Sequence, residues 1–341
     1  MKCAVYYGKH DVRIEERETP KIAHDEVLIK VKACGVCGTD VLVYDGGKGD
    51  AEMLAGTVTG HEFSGVVTAI GENVKNIKVG ARVCIDPILF CGQCYHCKNG
   101  NVHFCENMRV YGTNMDGGFA EYCKVKASNV YILGDNTTFE QGAMIEPLSC
   151  CLHALDLCGI KAGHNVVVIG GGMMGLIMLQ LARIAGAAKI VLLEPTEKKR
   201  ELGKKLGATA AIDSTNEDVK AKLLEYDMTH IDTVIECVGK TNTIEMAIDV
   251  AGKGATVMMY GLTNPEATVA LKPYECFAKE LTLKSSFINP HSMQRALDLL
   301  NSGFIDISSQ ICEVCALEKL PEVLAGAELR AKGKFIVCPE R

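Results

Sequence analysis

Apolar and polar positions along this chain follow two regimes. Up to about residue 148 the apolar positions come in short runs rich in β-branched residues, at 2–7, 12–16, 27–32, 63–70, 82–85, 119–125 and 130–133. Gly, Asn, Asp and Pro separate them, which is the pattern of strands joined by turns. From about 149 to 286 short apolar runs alternate with stretches of helical period. Strands are expected at 166–169, 189–193, 210–213, 232–238, 255–261 and 281–287. Helices are expected between them, from 173 onward, at 198–206, near 218–226 and near 244–251. Six strands with crossover helices make an α/β, doubly wound parallel sheet. The tail returns to a helix at 293–301, a short apolar stretch and a last strand near 333–337. The second region is therefore expected to be inserted into a mostly-β domain built from both ends of the chain.

One junction carries chemistry. Val166-Val167-Val168-Ile169 reads as a buried parallel strand and runs into Gly170-Gly171-Gly172-Met173-Met174-Gly175, which satisfies G-x-G-x-x-G. Gly170 allows the turn, Gly172 lets the backbone approach a pyrophosphate, and Gly175 lets the helix pack on the strand. The helix N-terminus, at Met173 and Met174, offers free N–H groups to phosphates. Glu194, about 20 residues on, ends the next strand and is placed to accept hydrogen bonds from an adenosine ribose. A carboxylate about 4 Å from a 2′-phosphate would meet repulsion of about 4 kcal/mol at an effective dielectric near 20, so NAD is favoured over NADP. Lys198, Lys199 and Arg200 follow closely and could soften that preference; their bland reading is a solvated helix face.

Length, composition and charge narrow the class. The 341 residues exceed one usual core, so two domains are expected. A hydrophobic content of 48% and a mean hydropathy of +0.12 fit an ordinary globular protein. The net charge of −6 argues against a nucleic-acid or anionic-membrane partner. The longest apolar run carries the glycine fingerprint, and the N-terminus lacks a signal-peptide core, so a cytoplasmic protein is expected. Seventeen cysteines, an odd number, suggest metal ligands and free thiols over a disulfide framework.

Cys91, Cys94, Cys97 and Cys105 place four thiolates on one loop, which suits a closed, structural zinc site. An iron–sulfur cluster is the rival, but the fourth cysteine lies eight residues after the third and no Pro follows it. His96 and His103 are surplus to the four, and Cys312-x-x-Cys315 lacks a second pair and reads as two packed thiols. Cys37, His61 and Glu146 would form an open, catalytic set of sulfur, nitrogen and oxygen ligands. Spacing alone does not select those three: a lone His61 is more often a buried core histidine, and Glu146 a helix N-terminal acid.

Gly60-His61-Glu62, the four-cysteine loop, Gly117-Gly118-Phe119-Ala120-Glu121-Tyr122 and the glycine run at 170–175 occur in order. Over essentially its whole length the chain resembles the zinc-dependent medium-chain dehydrogenase/reductase family. Glu146-Pro147-Leu148 is similar to the sorbitol (polyol) and threonine dehydrogenase branch, whereas animal alcohol dehydrogenases carry Cys there. The resemblance implies a GroES-like catalytic domain over 1–148 and 287–341 and a Rossmann domain over 149–286, with the active site in the cleft between them. It also implies two zinc ions and NAD, an alcohol or ketone substrate and a homodimer or homotetramer. Cys37 and His61 would be catalytic-zinc ligands, Glu62 and Glu146 would compete for or alternate in the remaining position, and Thr39 would hydrogen-bond the reacting oxygen. Two departures bear on mechanism and substrate. Leu42 stands where many members carry the histidine that ends a proton relay. Phe287-Ile288-Asn289 stands where sorbitol enzymes carry an arginine, and the loop at 111–116 lacks the arginines suited to a phosphorylated polyol. Two other readings compete with a zinc dehydrogenase: a zinc-free reductase of the same superfamily, and a non-catalytic NAD-binding redox sensor.

Overall fold

A computed structural model of the chain describes residues 1–47 and 51–341. The strands, in chain order, are β1 (Lys2–Gly8), β2 (Asp11–Glu16), β3 (Glu26–Gly35), β4 (Thr57–Val58), β5 (Glu62–Ile70), β6 (Arg82–Ile85), β7 (Ile88–Leu89), β8 (Arg109–Val110), β9 (Tyr122–Lys126) and β10 (Val130–Ile132). There follow β11 (Asn165–Ile169), β12 (Lys189–Leu193), β13 (Ala210–Ile212), β14 (Thr233–Glu236), β15 (Thr256–Met259), β16 (Thr282–Ser285), β17 (Ile311–Ala316) and β18 (Lys334–Cys338). The chain divides into two compact units. One comprises Met1–Ser149, Pro290–Gly303 and Ile307–Arg341; the other comprises Cys150–Asn289 and Phe304–Asp306.

The first unit is mostly β. Its larger sheet runs β10-β6-β5-β3-β18-β17, with β9 also on β3, and β2-β1-β4 form a smaller one. Alternation decides the layering: Val27, Ile29 and Val31 of β3 face a core that also takes Phe63, Val67, Phe119 and Phe335. Each apolar side chain so buried contributes roughly 1.5–3 kcal/mol. The pairing of β18 with β3 brings the end of the chain beside its beginning, with Ile336 opposite Gly35.

The second unit is a six-stranded sheet in the order β13-β12-β11-β14-β15-β16, and every neighbouring pair is parallel. The order reverses direction at β11, the topological switch where α/β sheets bind nucleotides. Val166, Val167, Val168 and Ile169 are all 2% exposed or less, as a strand covered on both faces requires.

Most expected elements are present within a residue or two, and the exceptions are informative. A helix, α1 (Gly38–Tyr44), follows β3 where no element was expected. It is only seven residues long, too short to show a helical period. Its signal is a capping box: Cys37 accepts the Thr39 N–H and Asp40 accepts the Cys37 N–H. Another short helix spans Pro273–Lys279, and β17 occupies the tail's apolar stretch. The strand expected at 119–125 begins only at Tyr122, because Phe119 and Ala120 pair with β1 instead. No helix among the described residues is long and apolar enough to cross a membrane.

Candidate metal centres and dinucleotide site

The end of β3 and the start of β5 build the first constellation. Cys37 caps α1, and its Sγ accepts the Thr39 N–H at 3.4 Å. Asp40 accepts the Cys37 N–H at 2.8 Å, and its other oxygen lies 3.5 Å from Nδ1 of His61. A carboxylate behind an imidazole fixes the ring's orientation and strengthens it as a ligand, as metal-bound histidines require. Glu62 opens β5 opposite Gly35. Ligand atoms of Cys37, His61 and Glu62 all lie within 4.8 Å of one another. Thr39 sits half-buried beside them, two residues from Cys37. Glu146, in the first turn of the helix Ile145–Cys158, is buried but does not join this group. Of the two competing carboxylates, the structure therefore brings Glu62 to the cysteine and histidine.

The electrostatics call for a cation. Burial opposes a charged His61, yet the Asp40 carboxylate and the Cys37 sulfur lift its pKa well above 6.5. Burial and the Glu62 carboxylate push the Cys37 thiol up, and His61 pulls it down. Glu62 Oε2 meets the ammonium of Lys334, while Glu62 Oε1 is buried without a hydrogen-bond partner. A sulfur, a nitrogen and an orphaned carboxylate oxygen converging in a dry site fit an open zinc centre.

The second constellation is the loop of Cys91, Cys94, Cys97 and Cys105, whose four sulfurs also lie within 4.8 Å of one another. Cys94 N–H donates to Cys91 Sγ at 3.4 Å and Cys91 N–H to Cys105 Sγ at 3.3 Å. Backbone donors from Gln93 and Cys94 pull the Cys91 thiol down to about 6, whereas desolvation and Cys94 push Cys97 up to about 12. Four crowded thiols cannot all ionise unless a cation offsets them. Tetrahedral zinc with bonds of about 2.3 Å sets sulfurs roughly 3.8 Å apart, and Cys91 and Cys97 are 4.0 Å apart. A cluster of several irons would need a wider cage, so the compact loop fits a single ion. His96 and His103 stay outside the group. Cys312 is exposed and Cys315 buried on β17.

In the second unit, β11 is followed by Gly170, with φ of +101°. A Cβ on Gly175 would stand 1.9 Å from the Gly170 carbonyl, so only glycine lets the helix α2 (Met173–Ile184) lie this close to the strand. A Cβ on Gly172 would meet nothing within 4 Å, and no side chain caps the helix. The N-terminal N–H groups at Met173 and Met174 are therefore left for an anion. Glu194 is 5% exposed; its oxygens accept N–H groups from Gly171 at 2.7 Å and Thr196 at 2.8 Å. A carboxylate has capacity for further donors, so ribose hydroxyls can still be bound. Lys199 packs over Gly171 and is half-buried, whereas Lys198 is exposed. Arg200 turns inward to the carbonyls of Glu194 and Pro195 and to Asp213, at 2.9, 2.7 and 3.2 Å. Sequence reasoning missed Asp40 and Lys334. Asp40 was detectable as the N3 acid of a capping box; Lys334 had no local signal, lying 272 residues from Glu62.

Comparison with known proteins agrees with this geometry. Residues 23–135 match the alcohol dehydrogenase GroES-like domain, and residues 174–302 match the zinc-binding dehydrogenase domain. The chain is 35% identical to D-arabinitol dehydrogenase 1 of Uromyces fabae, over 98% of this chain and 97% of that one. It is 36% identical to L-threonine 3-dehydrogenase of Caldanaerobacter subterraneus subsp. tengcongensis, over 96% and 94%. The structure of a zinc-binding dehydrogenase from Sinorhizobium meliloti, bound to NADP, superposes with a TM-score of 0.95 at 35% identity and covers 99% of each chain. The chain thus belongs to the zinc-dependent medium-chain dehydrogenase/reductase family, in its polyol and threonine dehydrogenase branch, with zinc and NAD(H) as its cofactors.

Proposed function

We propose that this protein interconverts a secondary alcohol and a ketone, passing a hydride between the carbinol carbon and NAD. The substrate class is a polyol, a sugar derivative or a hydroxy amino acid, in keeping with the arabinitol and threonine enzymes it resembles. The observation that carries the reading is the convergence of Cys37, His61 and Glu62, with Asp40 behind the histidine ring. These three residues would hold a zinc ion. An ion held there would supply Lewis acidity toward the substrate oxygen near neutral pH. Thr39, whose N–H bonds the Cys37 sulfur, would take the substrate's hydroxyl proton. Leu42 offers no onward acceptor, so that proton would leave by the cofactor ribose, water or another group. The N–H groups after Gly172 hold the pyrophosphate, and Glu194 with Lys199 holds the adenosine ribose. Cys91, Cys94, Cys97 and Cys105 would hold a second zinc ion, which would contribute to folding their loop.

Seventeen cysteines, an odd number, four of them gathered on one loop with metal-ligand spacing, support a reducing, cytoplasmic setting. A homo-oligomer is supported by the edge of β16, which has no strand neighbour on one side among the described residues, and by Tyr274 and Phe277, which are 78% and 80% exposed.

The test is NAD reduction over a panel of polyols, sugar acids, sugar phosphates and hydroxy amino acids, with zinc counted on the same sample. Turnover with two zinc ions per chain is the expected result. Cys37→Ser and His61→Ala should abolish turnover and keep NADH binding. An active His61→Ala protein lacking the second ion would refute the assigned centre, and one zinc per wild-type chain would favour a zinc-free reductase.

A further inference from the structure

Lys334 is a lysine with almost no access to water. It is 4% exposed, and its ammonium rests on Oε2 of Glu62, which is fully buried. Lysine is almost never buried this far unless paired, and a buried pair is a poor way to gain stability, because apolar residues of similar volume usually serve as well. The fold nevertheless makes specific room for it. β3 pairs with β5 at Gly35 and Glu62, and with β18 at Gly35 and Ile336, so Lys334 and Glu62 approach from the two sides of Gly35. A Cβ on residue 35 would stand 2.2 Å from Glu62 Oε2 and 2.8 Å from Lys334 Cε. Glycine there is the gap through which lysine and glutamate meet. The other oxygen, Oε1, has no partner, and the Glu62 carboxylate lies in the same group as Cys37 and His61.

Charge gives the arrangement a purpose. The thiolate of Cys37 and the carboxylates of Asp40 and Glu62 are three negative charges in a dry site. A divalent ion alone leaves one of them uncompensated, and Lys334 supplies the missing positive charge. We infer that Lys334 is a positioning residue for the metal ligand Glu62: it holds one carboxylate oxygen away from the ion, so that Glu62 serves as a weak, exchangeable ligand and a coordination position stays open for substrate. Without the lysine, both oxygens of Glu62 are free to turn to the metal. The ion is then held more tightly and the open position is filled. This inference rests on the metal reading of Cys37, His61 and Glu62.

The test uses full-length protein with cobalt in place of zinc at the Cys37 site, and follows visible absorption and the rate of cobalt loss to excess dipicolinate. Lys334→Met is expected to lose cobalt about tenfold more slowly, the equivalent of one added ligand oxygen, and its spectrum should no longer respond to an added alcohol or to azide. Lys334→Arg should restore both behaviours. Cobalt loss at the wild-type rate or faster in Lys334→Met overturns the inference. Should Lys334→Met fail to fold, the cycle with Glu62→Gln still decides the matter. The Glu62→Gln/Lys334→Met protein carries no unpaired buried charge and should lose cobalt at the rate of Glu62→Gln alone. A further change in that rate would show that the lysine acts through some other group, and would refute the assignment. If the wild-type chain binds only one metal ion, it is the metal reading itself that has failed.

Discussion

Asp40 shows how much one carboxylate can organise. It closes the cap of α1 through the Cys37 N–H and steadies the His61 ring, tying two ligands to one anchor. Asp40→Asn keeps a cap acceptor but loses the charge, so metal affinity at this centre should fall about tenfold to a hundredfold with little change in folding. Competition with a chromophoric chelator measures this, and unchanged affinity would remove Asp40 from the site. The pH dependence follows from His61. Its folded pKa lies above 6.5, so in the metal-free protein its contribution to stability is complete below 6.5 and is lost as pH rises through the raised value. A metal needs the neutral ring, so binding gains over the same rise in pH. The gap in Tm between protein loaded and depleted at this centre should therefore widen from pH 6.5 upward. A gap that narrows would contradict the role of His61. Along the chain Asp40 shows only as the acid of a local cap, and its contact with His61, like that of Lys334 with Glu62, is brought about by strand pairing. The family resemblance likewise left Glu62 and Glu146 as rivals until β5 set Glu62 opposite Gly35.

Legibility at the level of elements tracks pattern more than length alone, since the fourteen-residue helix Ile145–Cys158, apolar around most of its circumference, was not expected. The run from β11 into the helix Met173–Ile184 was readable because a buried strand, a turn that needs glycine and an apolar helix each leave their own pattern, and the three are contiguous. The four-cysteine loop was readable because its ligands lie within fifteen residues of sequence. The helices α1 and Pro273–Lys279 were not, since seven residues make fewer than two turns and capping decides whether they form. The glycine turn offers a sharp test of the close-packing argument. Gly175→Ala forces a carbon to within 1.9 Å of the Gly170 carbonyl, and both are backbone-anchored, so helix and strand must separate. Overpacking of this kind costs about 1–3 kcal/mol, and the displaced helix should also weaken NADH binding. Denaturant unfolding and NADH fluorescence check the two effects. An alanine variant of wild-type stability and affinity would show that the turn has slack that the geometry denies.

For the molecule as a whole, the open question is what covers the edge at β16. This strand has β15 on one side and no strand on the other among the described residues, so a row of backbone donors and acceptors is left unpaired. The helix just before it, Pro273–Lys279, presents Tyr274 and Phe277 almost fully to solvent, with ring centroids 6.3 Å apart. Exposed aromatic pairs beside an unpaired edge are costly to leave in water and suit a second copy of the chain. Two-fold pairing would make the patch meet itself, so that every substitution acts twice across the interface. That doubling makes the prediction strong. Tyr274→Asp/Phe277→Asp places four like charges on a surface meant to be dry, while each ring is too exposed in the single chain for its loss to disturb the fold. Sedimentation should show wild-type protein as an oligomer and the variant as a monomer with an unchanged circular dichroism spectrum. If the variant keeps the wild-type sedimentation coefficient, the interface lies elsewhere, and these two rings must be assigned another partner.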